Sequence, residues 1–308
     1  MAELMVRDGT WSFDGDRVWI VPGQERSVHR LRQDLGETSV PLEALAGIAY
    51  EPARKGGRLR LRLRDGADPL LHVTGGSLPD DANPYQVSVD PDRTGVAEYF
   101  ADEVRQSLLL DQVVTGPTDR YLLPGPAVPL SAAGVDGVAT FDGERVRIDW
   151  RWTTSESKKH AGARDFALAD LAGVDWRPAS GLESGYLRFR PKGVTAKLKP
   201  EHDPNAIELW GFKKESGRTA LLAAAVAARL PHPSGGSAPT AAAPVAAAQP
   251  VPSLKAAADP GPQGGGQDAD VLLRRLRELG ELHRDGILTA EEFAAAKAAV
   301  LKNFHGAG

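Results

Sequence analysis

The chain has 308 residues, 42% of them apolar, and a formal charge of -4, which suits about two cored domains and leaves no basic surplus for nucleic acid. It has no cysteine, so disulfides, thiolate metal sites and a cysteine nucleophile are excluded. The first residues lack a basic region followed by an apolar core, and the apolar run 219–230 is shorter than the ~20 residues of a spanning helix. A cytoplasmic location without a transmembrane segment is therefore expected.

In chain order, alternation predicts strands at 10–13 and 17–21 around Asp14-Gly15-Asp16, a hairpin signal. Strands follow at 38–41 and 48–51, with a helical turn at 42–45 between them. Residues 58–64 alternate Arg and Leu, giving one basic and one apolar face. Asp65-Gly66 turns the chain into a predicted strand at 70–74. A last strand at 85–89 precedes a helix at 95–109.

The plan then repeats. Phe13-Asp14-Gly15-Asp16-Arg17-Val18 matches Phe141-Asp142-Gly143-Glu144-Arg145-Val146. Leu42, Leu45, Ala46, Gly47, Pro52 and Ala53 match Leu168, Leu171, Ala172, Gly173, Pro178 and Ala179. Gly57, Leu59, Arg60 and Arg62 match Gly185, Leu187, Arg188 and Arg190, and Asn83 matches Asn205. The offset drifts from 128 to 122, as unequal loops would produce. A second closing helix falls at 218–230. Its Ala- and Leu-rich composition predicts burial against a sheet or a barrel end. Residues 1–115 carry 13 basic and 19 acidic side chains, whereas residues 133–232 carry 16 and 13, so the copies have opposite charge balance. Docking of the basic copy on the acidic one is one reading of that difference.

These motifs resemble the bacterial, actinobacterial-type domain-of-unknown-function family 4429, which looks like a short pleckstrin-homology-like (PH-like) module. The resemblance implies an α+β fold of two tandem PH-like domains, each a roughly seven-stranded antiparallel barrel or sandwich with a C-terminal helix. It brings no catalytic residues. The expected organisation is repeat 1 at 8–112, a connector at 113–134, repeat 2 at 135–231, a Pro/Ala/Gly linker at 232–267 and a helical hairpin at 268–304. The linker, mostly Pro, Ala, Gly and Ser, cannot bury enough surface to fold and reads as a disordered tether.

In the tail, Leu272, Leu276, Leu279 and Leu282 recur at helical spacing, Asp285-Gly286 breaks the helix, and Thr289 with Glu292 forms a capping box. Phe293, Val300 and Leu301 continue the apolar face. The run strongly resembles the short C-terminal domain SHOCT, which implies association with a partner or with itself. Residues 281–292 have the length of a calcium loop, but Glu281 and His283 stand where short oxygen ligands are needed, so the plain hairpin is preferred.

One surface feature suggests a ligand. Arg188 and Arg190, with Lys197 and Lys199 on a predicted following strand, would share one face, with Lys158 and Lys159 in a nearby loop. That patch would suit an anionic lipid or phosphorylated ligand. A solvated face with acidic neighbours is the plainer reading. The histidines are scattered and no nucleotide, dinucleotide or serine-nucleophile motif occurs, so no metal, cofactor or catalytic residue is assigned. Trp150 and Trp152 would share a strand face as packing or interface residues. The expected function is non-enzymatic: paired modules recognising a protein or peptide, with the tail hairpin oligomerising the chain or recruiting a partner.

Overall fold

The computed structural model describes residues 1–235, apart from 153, 181–182, 196–197, 210–212 and the side chains of 213–216. The tail residues singled out above, Leu272 to Leu301, lie outside the described residues, as does Lys197.

Copy one opens with β1 (Ala2–Val6), β2 (Gly9–Phe13) and β3 (Arg17–Pro22), then a short helix α1 (Arg30–Leu35) and β4 (Thr38–Pro41). These four strands form one antiparallel sheet in the order β1-β2-β3-β4. A 3₁₀ turn at Leu42–Ala44 leads to β5 (Leu45–Ala53), β6 (Gly56–Leu63), helix α2 (Pro69–Thr74) and β7 (Gln86–Val89). Strands β5, β6 and β7 form a second sheet, and helix α3 (Thr94–Leu110) closes the copy. Copy two repeats the strand order, with no helix like α2 among its described residues: β8 (Leu130–Ala133), β9 (Gly137–Phe141), β10 (Arg145–Trp150), α4 (Glu156–Ala161), β11 (Arg164–Ala167), β12 (Leu171–Arg177), β13 (Gly185–Pro191), β14 (Ala206–Leu209) and α5 (Lys213–Ala227). Its sheets are β11-β10-β9-β8 and β12-β13-β14.

Local chemistry explains the repetition. Asp14 Oδ1 accepts the amides of Asp16 and Arg17 at 2.9 and 2.8 Å, and Asp142 Oδ1 accepts those of Glu144 and Arg145 at 2.8 and 2.7 Å. Each Asp thus mimics backbone within the turn. Gly15 and Gly143 sit at φ +112° and +113°, where a side chain would be strained. The strand register slips at Leu45/Gly47 and again at Leu171/Gly173, so even the β-bulge is duplicated. Indole donation from Trp19, joined by the turn amides, holds the Asp14 carboxyl below its ordinary pKa.

Two expectations are corrected. Residues 70–74 are helix, not strand. Asp68 accepts the Leu70 and Leu71 amides at 3.2 and 3.0 Å, Pro69 occupies the first turn, and Gly75 ends the helix in the left-handed region. The missing strand is β1, whose Ala2 and Leu4 point into the core while Glu3 and Met5 face out. The strand carrying Trp150 stops there, so Trp152 is not on its face but in a turn, 88% exposed.

The closing helices are covered differently. Helix α3 buries Ala97, Phe100, Ala101 and Val104 on one side only. Helix α5 is buried all round from Ala220 to Ala227. Its second cover comes from copy one: Leu31 of α1 and Leu70 of α2 belong to the core of copy two, with Leu35, Val73 and Leu78 packed against it. The contact between the copies is therefore mainly apolar, and Arg218–Asp34 at 3.3 Å is an added ion pair. Both copies fall within one compact unit.

His72, Tyr121 and His232 form a ring cluster at this junction, with Tyr121 and His232 centroids 4.6 Å apart. Burial, and then the neighbouring His232, hold His72 below its ordinary value of 6.5, while burial pushes Tyr121 up to about 12. For His72 the folded state resists a proton that the unfolded chain accepts near pH 6.5. Stability is therefore lost as pH falls through that value. Urea midpoints at about pH 7.5 and 5.5 should differ less in His72→Phe than in the parent. Because the ring is partly exposed the effect is modest, and equal differences in the two proteins would refute it.

Candidate functional site

Each copy carries the same four polar parts at matching places along its elements. An Asp sits in the turn between the first two strands: Asp8 or Asp136. A cation sits third in the short helix: Arg32 of α1 or Lys158 of α4. An arginine sits on the middle strand of the smaller sheet: Arg60 of β6 or Arg188 of β13. An acid sits in the loop before the last strand: Asp80 with Asp81, or Asp203.

In copy two the cluster is closed on itself. Lys158 is fully buried; its Nζ donates to Asp136 Oδ2 and, at 2.8 Å, to the Ala206 carbonyl, and it lies 5.0 Å over the Trp150 ring. Asp136 Oδ1 accepts the Glu208 amide at 2.9 Å. Arg188 Nε donates to Asp203 Oδ2 at 2.7 Å and its Nη2 to the Leu198 carbonyl at 2.6 Å.

In copy one the same parts stand apart, and Asp8, Arg32, Asp80 and Asp81 among them line a cavity of about 380 Å³. Arg32 is only 5% exposed, yet its Nη1 is 3.8 Å from Asp8 Oδ2 and its Nη2 reaches only the Asp8 carbonyl at 3.3 Å. Its Nε is buried without a partner, as are Arg60 Nε and Gln86 Oε1. Arg58 holds Asp80 at 2.7 Å, while Arg60 stays 3.8 Å from it. Asp8, Asp80, Asp81, Arg32, Arg58 and Gln86 line the cavity. Desolvation depresses the Arg32 pKa, partly offset by Asp8. Buried donors and acceptors normally find partners, and each one left open is costly. The cleft thus offers a buried guanidinium and an amide oxygen beneath a carboxylate rim.

The basic patch expected in copy two is not assembled as one exposed face by the described residues. Lys158 and Arg188 are buried in the pairs above. Arg190 pairs with Asp175 at 3.2 Å and Lys159 with Glu156 at 2.7 Å, both at the surface. Strand β13 ends at Pro191, and Lys199 lies in a loop rather than on a following strand. Among the described residues no group of three His, Asp or Glu side chains is placed to hold a metal ion, and no helix is long and apolar enough to cross a membrane.

The repeated plan is matched by a family model, the domain of unknown function DUF4429, over residues 11–105 and again over 139–227. The chain belongs to this family. A second model, the short C-terminal domain SHOCT, matches residues 274–301. No curated protein matches the chain. Both DUF4429 matches begin after Asp8 and Asp136. The longest run of near-identity between the copies likewise starts later, at Phe13 and Phe141. The signal was present: Asp8-Gly9 and Asp136-Gly137 keep the opening offset of 128.

Proposed function

We propose that this DUF4429 protein is a non-enzymatic binding and scaffolding protein, built on two PH-like modules, whose ligand site is the cleft of copy one. Four strands, three strands and a closing helix in each copy support the PH-like reading. One observation carries the choice of copy: the pairs Lys158–Asp136 and Arg188–Asp203 are closed in copy two, whereas their counterparts Arg32–Asp8 and Arg60–Asp80 stand 3.8 Å apart in copy one, beside a cavity. The occupant is a peptide segment that brings a carbonyl or carboxylate to Arg32 and a donor to Gln86 Oε1 and Asp81. An anionic lipid or phosphorylated ligand has less support. Three carboxylates line the cleft against two guanidinium groups, and the strongest cations of copy two are already spent on internal partners. The SHOCT hairpin would add association through its own apolar face, Leu272 to Leu301.

The test is a peptide microarray probed with the full chain and with its Arg32→Met variant, beside sedimentation with phosphoinositide-containing vesicles. Selected peptides should combine an acidic or C-terminal group with a basic side chain, and Arg32→Met should weaken them roughly tenfold or more. Unchanged peptide binding in the variant, or vesicle binding that Arg32→Met abolishes, would overturn the assignment.

A further inference from the structure

Strands β7 and β14 stand last in their sheets, so each has one edge with no neighbouring strand. Opposite the matched pair Arg60 and Arg188 lie Gln86 of β7 and Ala206 of β14, and opposite Arg58 and Tyr186 lie Ser88 and Glu208. The Leu61 amide donates to the Tyr85 carbonyl at 2.8 Å, and the Phe189 amide to the Asn205 carbonyl at 2.9 Å. In an antiparallel ladder such bonded pairs alternate with unbonded ones. Gln86, Ser88, Ala206 and Glu208 therefore all turn their amides and carbonyls away from the sheet, toward the free edge.

In copy two the chain seals that edge itself. The Ala206 amide donates to the Asp203 carbonyl at 3.0 Å, and the Ala206 carbonyl accepts from Lys158 Nζ at 2.8 Å. The Glu208 amide donates to Asp136 Oδ1, and the Glu208 carbonyl accepts from the Val135 amide, both at 2.9 Å. In copy one the Ser88 amide is filled in the same way, by Asp8 Oδ2 at 3.2 Å. Among the described residues the Gln86 amide, the Gln86 carbonyl and the Ser88 carbonyl have no such partner. Gln86 is buried, and Gln86, Val87 and Ser88 all line the cleft. Main-chain groups at a buried edge normally find partners, and an open edge is a template for another strand.

We infer that the peptide held in the cleft of copy one binds as an added β-strand along β7, its main chain bonding Gln86 and Ser88, a reading that rests on the cleft being the ligand site. Recognition is then mainly by backbone, in extended form, with Arg32 and the carboxylates of the rim choosing among side chains. Copy two cannot bind in this way, because Lys158, Asp136, Asp203 and Val135 already occupy the equivalent edge. An added strand turns the amide of every second residue toward β7.

The test takes the strongest peptide from the array, resynthesised with a single N-methyl group at each position in turn, and measures its binding to the full chain. N-methylation of an amide facing β7 should weaken binding roughly tenfold or more, and of the amides between them by much less, so the losses recur with period two. In the free chain the Gln86 amide should exchange with solvent at least about tenfold faster than the Ala206 amide. Binding that needs Arg32 but lacks the period-two losses overturns the added strand and leaves the cleft standing. A Gln86 amide as protected as that of Ala206 also overturns it. An array that selects no peptide, or peptides indifferent to Arg32→Met, overturns the cleft assignment and the added strand with it.

Discussion

Replacing Lys158 with methionine is expected to destabilise the protein by about 3–5 kcal/mol in urea unfolding, among the largest effects of any single surface-type residue in the chain. The side chain is fully buried, and its departure leaves the Asp136 carboxylate and the Ala206 carbonyl without their cation. An unpaired buried charge costs far more than the pair contributes. The equivalent change in copy one, Arg32→Met, should cost much less, within about 1 kcal/mol, because Arg32 stands 3.8 Å from Asp8 and already carries an unpartnered Nε. Adding Asp136→Asn to Lys158→Met should recover part of the loss, since the amide oxygen still accepts from Glu208. The contrast is the thermodynamic signature of one closed and one open site. Equal losses for Lys158→Met and Arg32→Met would remove the reason for placing the ligand in copy one.

What the residues alone disclosed follows from how local each signal is. The Asp-Gly turns, the 3₁₀ turn at Leu42 and the Arg/Leu strand are short-range patterns, and each appears where it was read. The helix at Leu70 was also legible, through Asp68 as cap and Pro69 in the first turn, but a run as short as Leu70-Leu71-His72-Val73-Thr74 satisfies strand and helix equally until its caps are weighed. Strand β1 is five residues long, and Met5 on its outer side breaks the apolar–polar alternation that marks a strand. The burial of Lys158 has no local signal at all. Glu156-Ser157-Lys158-Lys159-His160, expected as a loop, reads as solvated, and only partners distant in sequence, Asp136 22 residues upstream and the Ala206 carbonyl, make a buried lysine tolerable. Arg188 was misplaced for a related reason. Period two assigns an arginine to the wet face, but here that face is closed by the loop carrying Leu198 and Asp203.

The second large effect concerns the joint between the copies. Leu70 belongs by sequence to copy one, yet its side chain is 1% exposed within the core of copy two, beside the Ala-rich face of α5. Alanines let the helices approach closely, so the space left by a shortened Leu70 has no long neighbour to fill it. Leu70→Ala should therefore fall in the usual range for a core leucine, about 2–5 kcal/mol. Where the loss appears is the sharper test. Native-state hydrogen exchange should show α5 amides losing protection in Leu70→Ala, through opening of the joint. Leu59→Ala, buried in the core of copy one, should cost as much globally while leaving sub-global opening of α5 unchanged. The reason is architectural: α5 is held on one side by its own sheets and on the other by α1 and α2, so removing the second cover frees one face of a helix that has no polar side to offer water. If Leu70→Ala and Leu59→Ala expose α5 to the same extent, the two copies unfold as one unit and the joint is not a separable element of the fold.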